Sequence, residues 1–117
     1  GTESTLDGVR IARGFTGRER LIKIEASYRG HHDALMVSVE PPPDRMGPAD
    51  HPASFPQSDG ITAATVELTT VVPFNDLAAL EKAFAEHPGQ VAAVIVEPAM
   101  MNVGIVLPDE GYLAGLK

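Results

Sequence analysis

Val91-Ala92-Ala93-Val94-Ile95-Val96, followed at once by Glu97-Pro98, is the stretch that decides the architecture. Six apolar residues run without a break between two turn signals, His87-Pro88-Gly89 before them and Pro98 after. A strand with one wet face alternates apolar and polar residues. An unbroken apolar run instead reads as a strand buried on both faces, and after a helix it is most economically a parallel one. The preceding helix is visible: Asn75 or Asp76 caps it, Leu77, Leu80 and Phe84 share a face, and it ends near Glu86. Working outward, Glu67 to Val72 reads as a second strand stopped by Pro73, and Arg18 to Ile24 as a third. Leu21, Ile22 and Ile24 do not alternate, so this strand too is expected to be buried on both faces.

In front of it lies a helix with Leu6, Val9 and Ala12 at helical spacing. Thr2 is its expected N-cap, Glu3 suits the positive helix start, and Arg13-Gly14 is its expected stop. Residues from Tyr112 to Lys117 read as the opening turns of another helix. The order α, β, loop, β, α, β, α is that of an α/β layered fold, without internal repeats. The loop is residues 41–60, which hold six of the ten prolines. Proline fixes φ and removes an amide donor, so neither a helix nor a central strand fits there. A long exposed loop remains, either a functional lid or a tolerated surface insertion.

Composition narrows the function classes. The 117 residues carry 16 acidic and nine basic side chains, a formal charge of −7, which argues against a general nucleic-acid binder. No apolar run approaches the roughly 20 residues of a membrane helix. The absence of cysteine excludes a disulfide framework, a thiolate metal site and a cysteine nucleophile, and fits the cytoplasm. The sequence opens at Gly1-Thr2-Glu3 without a targeting segment and closes inside a helical pattern, so it is expected to be a segment of a larger chain.

In open α/β sheets ligands bind beyond the carboxyl ends of the strands, and chemistry is sought there and at the first helix start. Gly1-Thr2 before a helix can form an anion site from free amides, the helix dipole and a hydroxyl; the plain alternative is a cap. After the first strand comes Tyr28-Arg29-Gly30-His31-His32-Asp33, in which Tyr28 either covers a planar ligand or is half-buried with a polar tip. Adjacent His31, His32 and Asp33 point to opposite faces of an extended chain and chelate one ion poorly. After the last strand, Glu97 and Asn102 are two polar groups aimed at the same crevice, or else a cap and a turn residue. The glycine-rich phosphate-loop, dinucleotide, nucleophile-elbow and zinc-protease motifs are absent.

Gly1-Thr2-Glu3-Ser4, then Arg10-Ile11-Ala12-Arg13-Gly14-Phe15-Thr16-Gly17-Arg18, Lys23-Ile24-Glu25, Tyr28-Arg29-Gly30-His31-His32-Asp33 and Val96-Glu97-Pro98 with Asn102 occur in one order along the whole chain. In that combination the sequence resembles the class III pyridoxal-phosphate-dependent aminotransferases, most of all their glutamate-1-semialdehyde 2,1-aminomutase branch. The resemblance implies part of a fold-type-I large domain, a mostly parallel sheet flanked by helices. It implies pyridoxal 5'-phosphate as cofactor, with Gly1 and Thr2 at its phosphate, Tyr28 stacked on its ring, Glu97 near it and Asn102 at the ring hydroxyl. It also implies a homodimeric parent acting on a small amino acid, aldehyde or keto acid, with residues 41–60 where aminomutases carry an active-site gate. Formation of 5-aminolevulinate is the favoured reaction and ordinary transamination the alternative. A stand-alone phosphate-binding module is a rival of another class.

The departures from the family pattern are Ser4 for alanine, Arg29 for histidine, and a proline-rich gate. The Schiff-base lysine, the aspartate at the pyridine nitrogen and the C-terminal small domain are expected to lie beyond Lys117; Lys23, Lys82 and Lys117 match that lysine in neither position nor context. The chain alone is therefore expected to be inactive.

Overall fold

The computed structural model describes all 117 residues. Helix α1 spans Thr2–Thr16, strand β1 Arg20–Ile24, helix α2 Ala63–Glu67, strand β2 Thr69–Val72, helix α3 Leu77–Glu86, strand β3 Val91–Ile95 and helix α4 Tyr112–Gly115. Single 3-10 turns occupy Asp33–Leu35 and Pro43–Arg45. The three strands form one parallel sheet in the order β2-β1-β3. All three carboxyl ends therefore lie along one edge of the sheet.

β1 is the central strand, with Leu21, Ile22, Lys23 and Ile24 all buried, as the lack of alternation predicts. Ile22 and Ile24 pack with Val72, Leu80, Ala83, Val91 and Met100, on the α3 side. Leu21 packs on the opposite face with Val9 of α1 and Leu35. Helices thus cover both faces, the layered arrangement expected of parallel strands. β3 is parallel as expected, but only Val91 is fully buried and the other four residues are half-buried. It is an edge strand, paired with β1 alone; β2 is an edge strand too, but three of its four residues are buried.

Other boundaries shift for identifiable reasons. α1 does not stop at Gly14; it continues to Thr16, because Gly17 takes the left-handed conformation (φ 67°) and donates to Arg13 O at 2.9 Å. Gly1, not Thr2, is the N-cap residue, and no side chain caps this helix start. β1 begins at Arg20 and β2 at Thr69, each two residues later than predicted. The residues before β2 form α2, unanticipated from the sequence, which Thr62 caps by accepting from Thr65 N at 3.3 Å. Of the two expected caps of α3, Asp76 serves, accepting from Ala79 N at 2.9 Å.

Residues 41–60 hold no strand or α-helix beyond their 3-10 turn, with Pro56 in an isolated bridge to Val37. The loop is tied down: Ser54 Oγ donates to Thr69 O at 2.6 Å and His51 lies 3.3 Å from Glu86 on α3. Near the chain end, Tyr112 is buried edge-on against Phe74, with ring centres 5.0 Å apart.

Emptying the centre of the sheet should cost more than trimming its edge. Ile22→Ala is expected to lower the unfolding free energy by about 2–5 kcal/mol, and Val94→Ala by less than half that, measured by chemical denaturation. Equal losses would contradict the strand order.

Candidate functional site

α1 starts at the sheet edge that carries the strand carboxyl ends, and the turn after β1 folds back onto that start. Thr2 Oγ1 accepts the His31 amide at 3.2 Å. Gly30 sits so close that a Cβ there would stand 2.7 Å from Thr5 Oγ1 and 3.0 Å from Thr2 Cα. Its φ of 102° is also one that side chains rarely allow. The result is a hollow lined by Gly1, Thr2, Thr5, Tyr28, Arg29 and Gly30. A 15-residue helix with no side-chain cap leaves first-turn amides free, and the dipole favours an anion there.

A second hollow adjoins it, lined by Tyr28, Arg29, Glu97, Met101 and Asn102. Tyr28 and Arg29 belong to both. Glu97, just past β3, is buried with its Oε2 accepting from Met101 N at 3.1 Å. Its Oε1 lies 2.7 Å from an Arg29 terminal nitrogen, but no N–H is aligned with it, so the contact is ionic. Arg29 Nε is buried with no partner. Asn102 Nδ2 donates to Ala26 O at 3.1 Å, joining the turn after β3 to the turn after β1.

All five residues singled out from the sequence are therefore gathered at one edge: Gly1, Thr2 and Tyr28 around the first hollow, Tyr28, Glu97 and Asn102 around the second. Two further residues escaped the sequence reading. Arg29 appeared there only as a departure from a motif, yet its guanidinium joins the hollows. Lys23 lies in the middle of β1, wholly buried, and donates to Ile24 O, Ser27 O and Val37 O at 3.2, 2.9 and 2.7 Å. A lysine within an apolar strand was its only signal. No group of three or more His, Asp or Glu side chains is placed to hold a metal ion.

The electrostatics of this edge are dominated by burial. It pulls the Lys23 ammonium down from the ordinary lysine range to about 7, helped by Arg29 and opposed by Glu25 and Glu97. It also pushes the Glu25 carboxyl up, against the pull of Lys23. His32, 3.5 Å from Thr5 Oγ1, is held below the usual histidine value, first by burial and then by Arg13.

The family model Aminotransferase class-III matches residues 1–117, the whole chain. The chain belongs to the class-III aminotransferases. It is 42% identical over all 117 residues to glutamate-1-semialdehyde 2,1-aminomutase 1 of Staphylococcus carnosus, and 41% identical to the aminomutase of Myxococcus xanthus. In each case it spans 26% of the relative, about a quarter of its length. Among solved structures it is similar to an omega-transaminase from Sphaerobacter thermophilus, with TM-score 0.88 and 29% identity over 97% of this chain and 26% of that one. It is also similar to a glutamate-1-semialdehyde aminomutase from Pseudomonas aeruginosa PAO1, with TM-score 0.77 and 36% identity over 98% of this chain and 23% of that one. A variant of that aminomutase was solved in complex with PMP. The chain's three-stranded parallel sheet with flanking helices is thus a piece of the transaminase fold. No helix in it is long and apolar enough to cross a membrane.

Two measurements check this geometry. Gly30→Ala should force α1 and the turn apart, lowering stability by about 1–3 kcal/mol and abolishing anion binding at the helix start. Unchanged anion binding would refute the cradle. Lys23 binds its proton more weakly in the fold than in the unfolded chain. Between pH 7 and the ordinary lysine value of 10.5 the unfolded state therefore carries more protons, and stability rises with pH. Denaturation of the unaltered protein and of Lys23→Met from pH 6.5 to 9.5 should show the former gaining on the latter; parallel curves would contradict it.

Proposed function

We propose that this chain forms part of the cofactor-binding wall of a pyridoxal 5'-phosphate-dependent enzyme of the glutamate-1-semialdehyde 2,1-aminomutase type. The observation that carries the reading is the uncapped start of α1 facing the Gly30 cradle, with Tyr28 beside it. The residues fit the group: free first-turn amides, the Thr2 hydroxyl and the orphaned Arg29 Nε suit a phosphate, and a half-exposed tyrosine suits a planar ring. Gly1 and Thr2 hold the phosphate, Tyr28 covers the ring, and Asn102 approaches its hydroxyl. Glu97 acts through Arg29 and the Met101 amide, to which it is already bound. The cofactor, when bound, supplies an electron sink for a carbanion next to the amino group.

In this reading the covalent-anchor lysine comes from outside these residues, and the chain alone does not turn over substrate. The substrate is a small amino acid, aldehyde or keto acid, the working form is a homodimer, and the compartment is the cytoplasm. Residues 41–60 serve as the gate; what supports this is their coupling to the site, since Phe55 O accepts from Ser38 N and Ser38 O accepts from Ala26 N, two residues before Tyr28. Ordinary transamination is the second reading, favoured by the TM-score of 0.88 to an omega-transaminase. Sequence identity of about 42% to aminomutases favours the first.

Binding of pyridoxamine 5'-phosphate to the full-length protein tests the assignment. Thr2→Val should weaken it about 10–100-fold, the worth of one hydrogen bond to a charged group. Thr2→Ser should bind nearly as the unaltered protein does, and Tyr28→Ala should bind more weakly than it. Wild-type affinity in both Thr2→Val and Tyr28→Ala would overturn the reading.

A further inference from the structure

A lysine in the centre of a sheet is costly to bury, and it persists only where its protons are matched. Lys23 meets three carbonyl oxygens and no carboxylate at hydrogen-bond distance. Two of them, Ile24 O and Ser27 O, are the two ends of the tight turn that follows β1, which is closed by Ser27 N and Ser27 Oγ donating to Ile24 O at 3.3 and 2.6 Å. The third, Val37 O, belongs to the segment that lies against this turn. Between them sit two residues in the left-handed region, Ala26 at φ 62° and Ser38 at φ 51°, joined by the Ala26 N to Ser38 O bond of 2.8 Å. Such conformations persist only where the surroundings over-determine them.

Without the amino group, three buried carbonyl dipoles would converge on one point with no donor. The turn would then relax, and with it the two groups it presents: Tyr28, the next residue, and Ala26 O, the acceptor of Asn102. The phosphate end is built differently, from α1 and Gly30, and Lys23 does not touch it.

We propose that Lys23 is a positioning residue for the ring end of the site, gathering the carbonyls of Ile24, Ser27 and Val37 so that the turn holds Tyr28 and receives Asn102. This rests on the cofactor reading above and deepens it. As an ammonium the group has a proton for each carbonyl; as an amine it has two for three. Burial first, and then Arg29 on its own segment, weaken its hold on the third proton, while Glu25 on that segment and Glu97, just past β3, strengthen it.

The test compares affinities for pyridoxamine 5'-phosphate and for inorganic phosphate in the full-length protein, unaltered and as Lys23→Met, with Leu35→Ala as a control for core loss on the same sheet face. The ratio of the two affinities isolates the ring contribution, which general destabilisation does not change. Lys23→Met is expected to lower the ratio tenfold or more while phosphate binding stays within twofold; Leu35→Ala should leave the ratio within twofold. An unchanged ratio in Lys23→Met, an equal fall in Leu35→Ala, or a Lys23→Met protein that fails to fold would overturn the proposal, the last by making Lys23 a core residue. An unaltered protein with no preference for the ring-bearing ligand would remove the cofactor reading and this inference with it. A preference that Lys23→Met retains removes only the inference.

Discussion

The arrangement depends on a central strand that has no free side. β1 is paired with β2 and β3 along its two edges and covered by α1 and α3 on its two faces. Hydrogen bonds on both edges fix its register, and burial on both faces forbids a slip, since a one-residue shift would exchange its side chains between faces. The carboxyl end of β1 is therefore a fixed point. The turn that leaves it can hold strained residues such as Ala26 because the strand beneath cannot yield.

From that point the site is assembled by main-chain geometry more than by side-chain pairs. α1 lies on one face so that its uncapped start comes to the same edge as the strand ends, and Gly30 lets the turn approach it. The turn after β3 reaches the turn after β1 through Asn102 and through the ionic contact of Glu97 with Arg29. Buried ion pairs are weak sources of stability, but removing one member leaves a charge without its partner. Glu97 and Arg29 are best understood as fixing the distance between two turns, and a planar ligand between them would sense that distance.

Much of this was legible in the sequence. Non-alternation at Leu21, Ile22 and Ile24 predicts a doubly covered strand, and an apolar run after a helix predicts a parallel one. Both rest on periodicity, which burial imposes directly. The sequence pointed to the helix start at Gly1-Thr2 and to the strand carboxyl ends near Tyr28, Glu97 and Asn102, where ligands gather in such sheets. It left plain structural roles open for all five; only the family resemblance gave them cofactor roles. What was not legible depends on partners far away in sequence. Gly14 and Gly17 are both candidate helix stops, and only the backbone at Gly17 decides between them. The edge position of β3 follows from strand order, which no local pattern encodes. The role of Lys23 was hidden because its partners are carbonyls, identical in every residue, supplied by a turn and by Val37.

In the reading proposed here, the start of α1 and the turn after β1 together make one receptor for a phosphorylated aromatic ring. A crystal structure of the full-length protein grown with pyridoxal 5'-phosphate tests it most directly. The phosphate is expected against the first-turn amides and the Thr2 hydroxyl, with the ring against Tyr28. A phosphate bound elsewhere, or a ring that does not contact Tyr28, would contradict it.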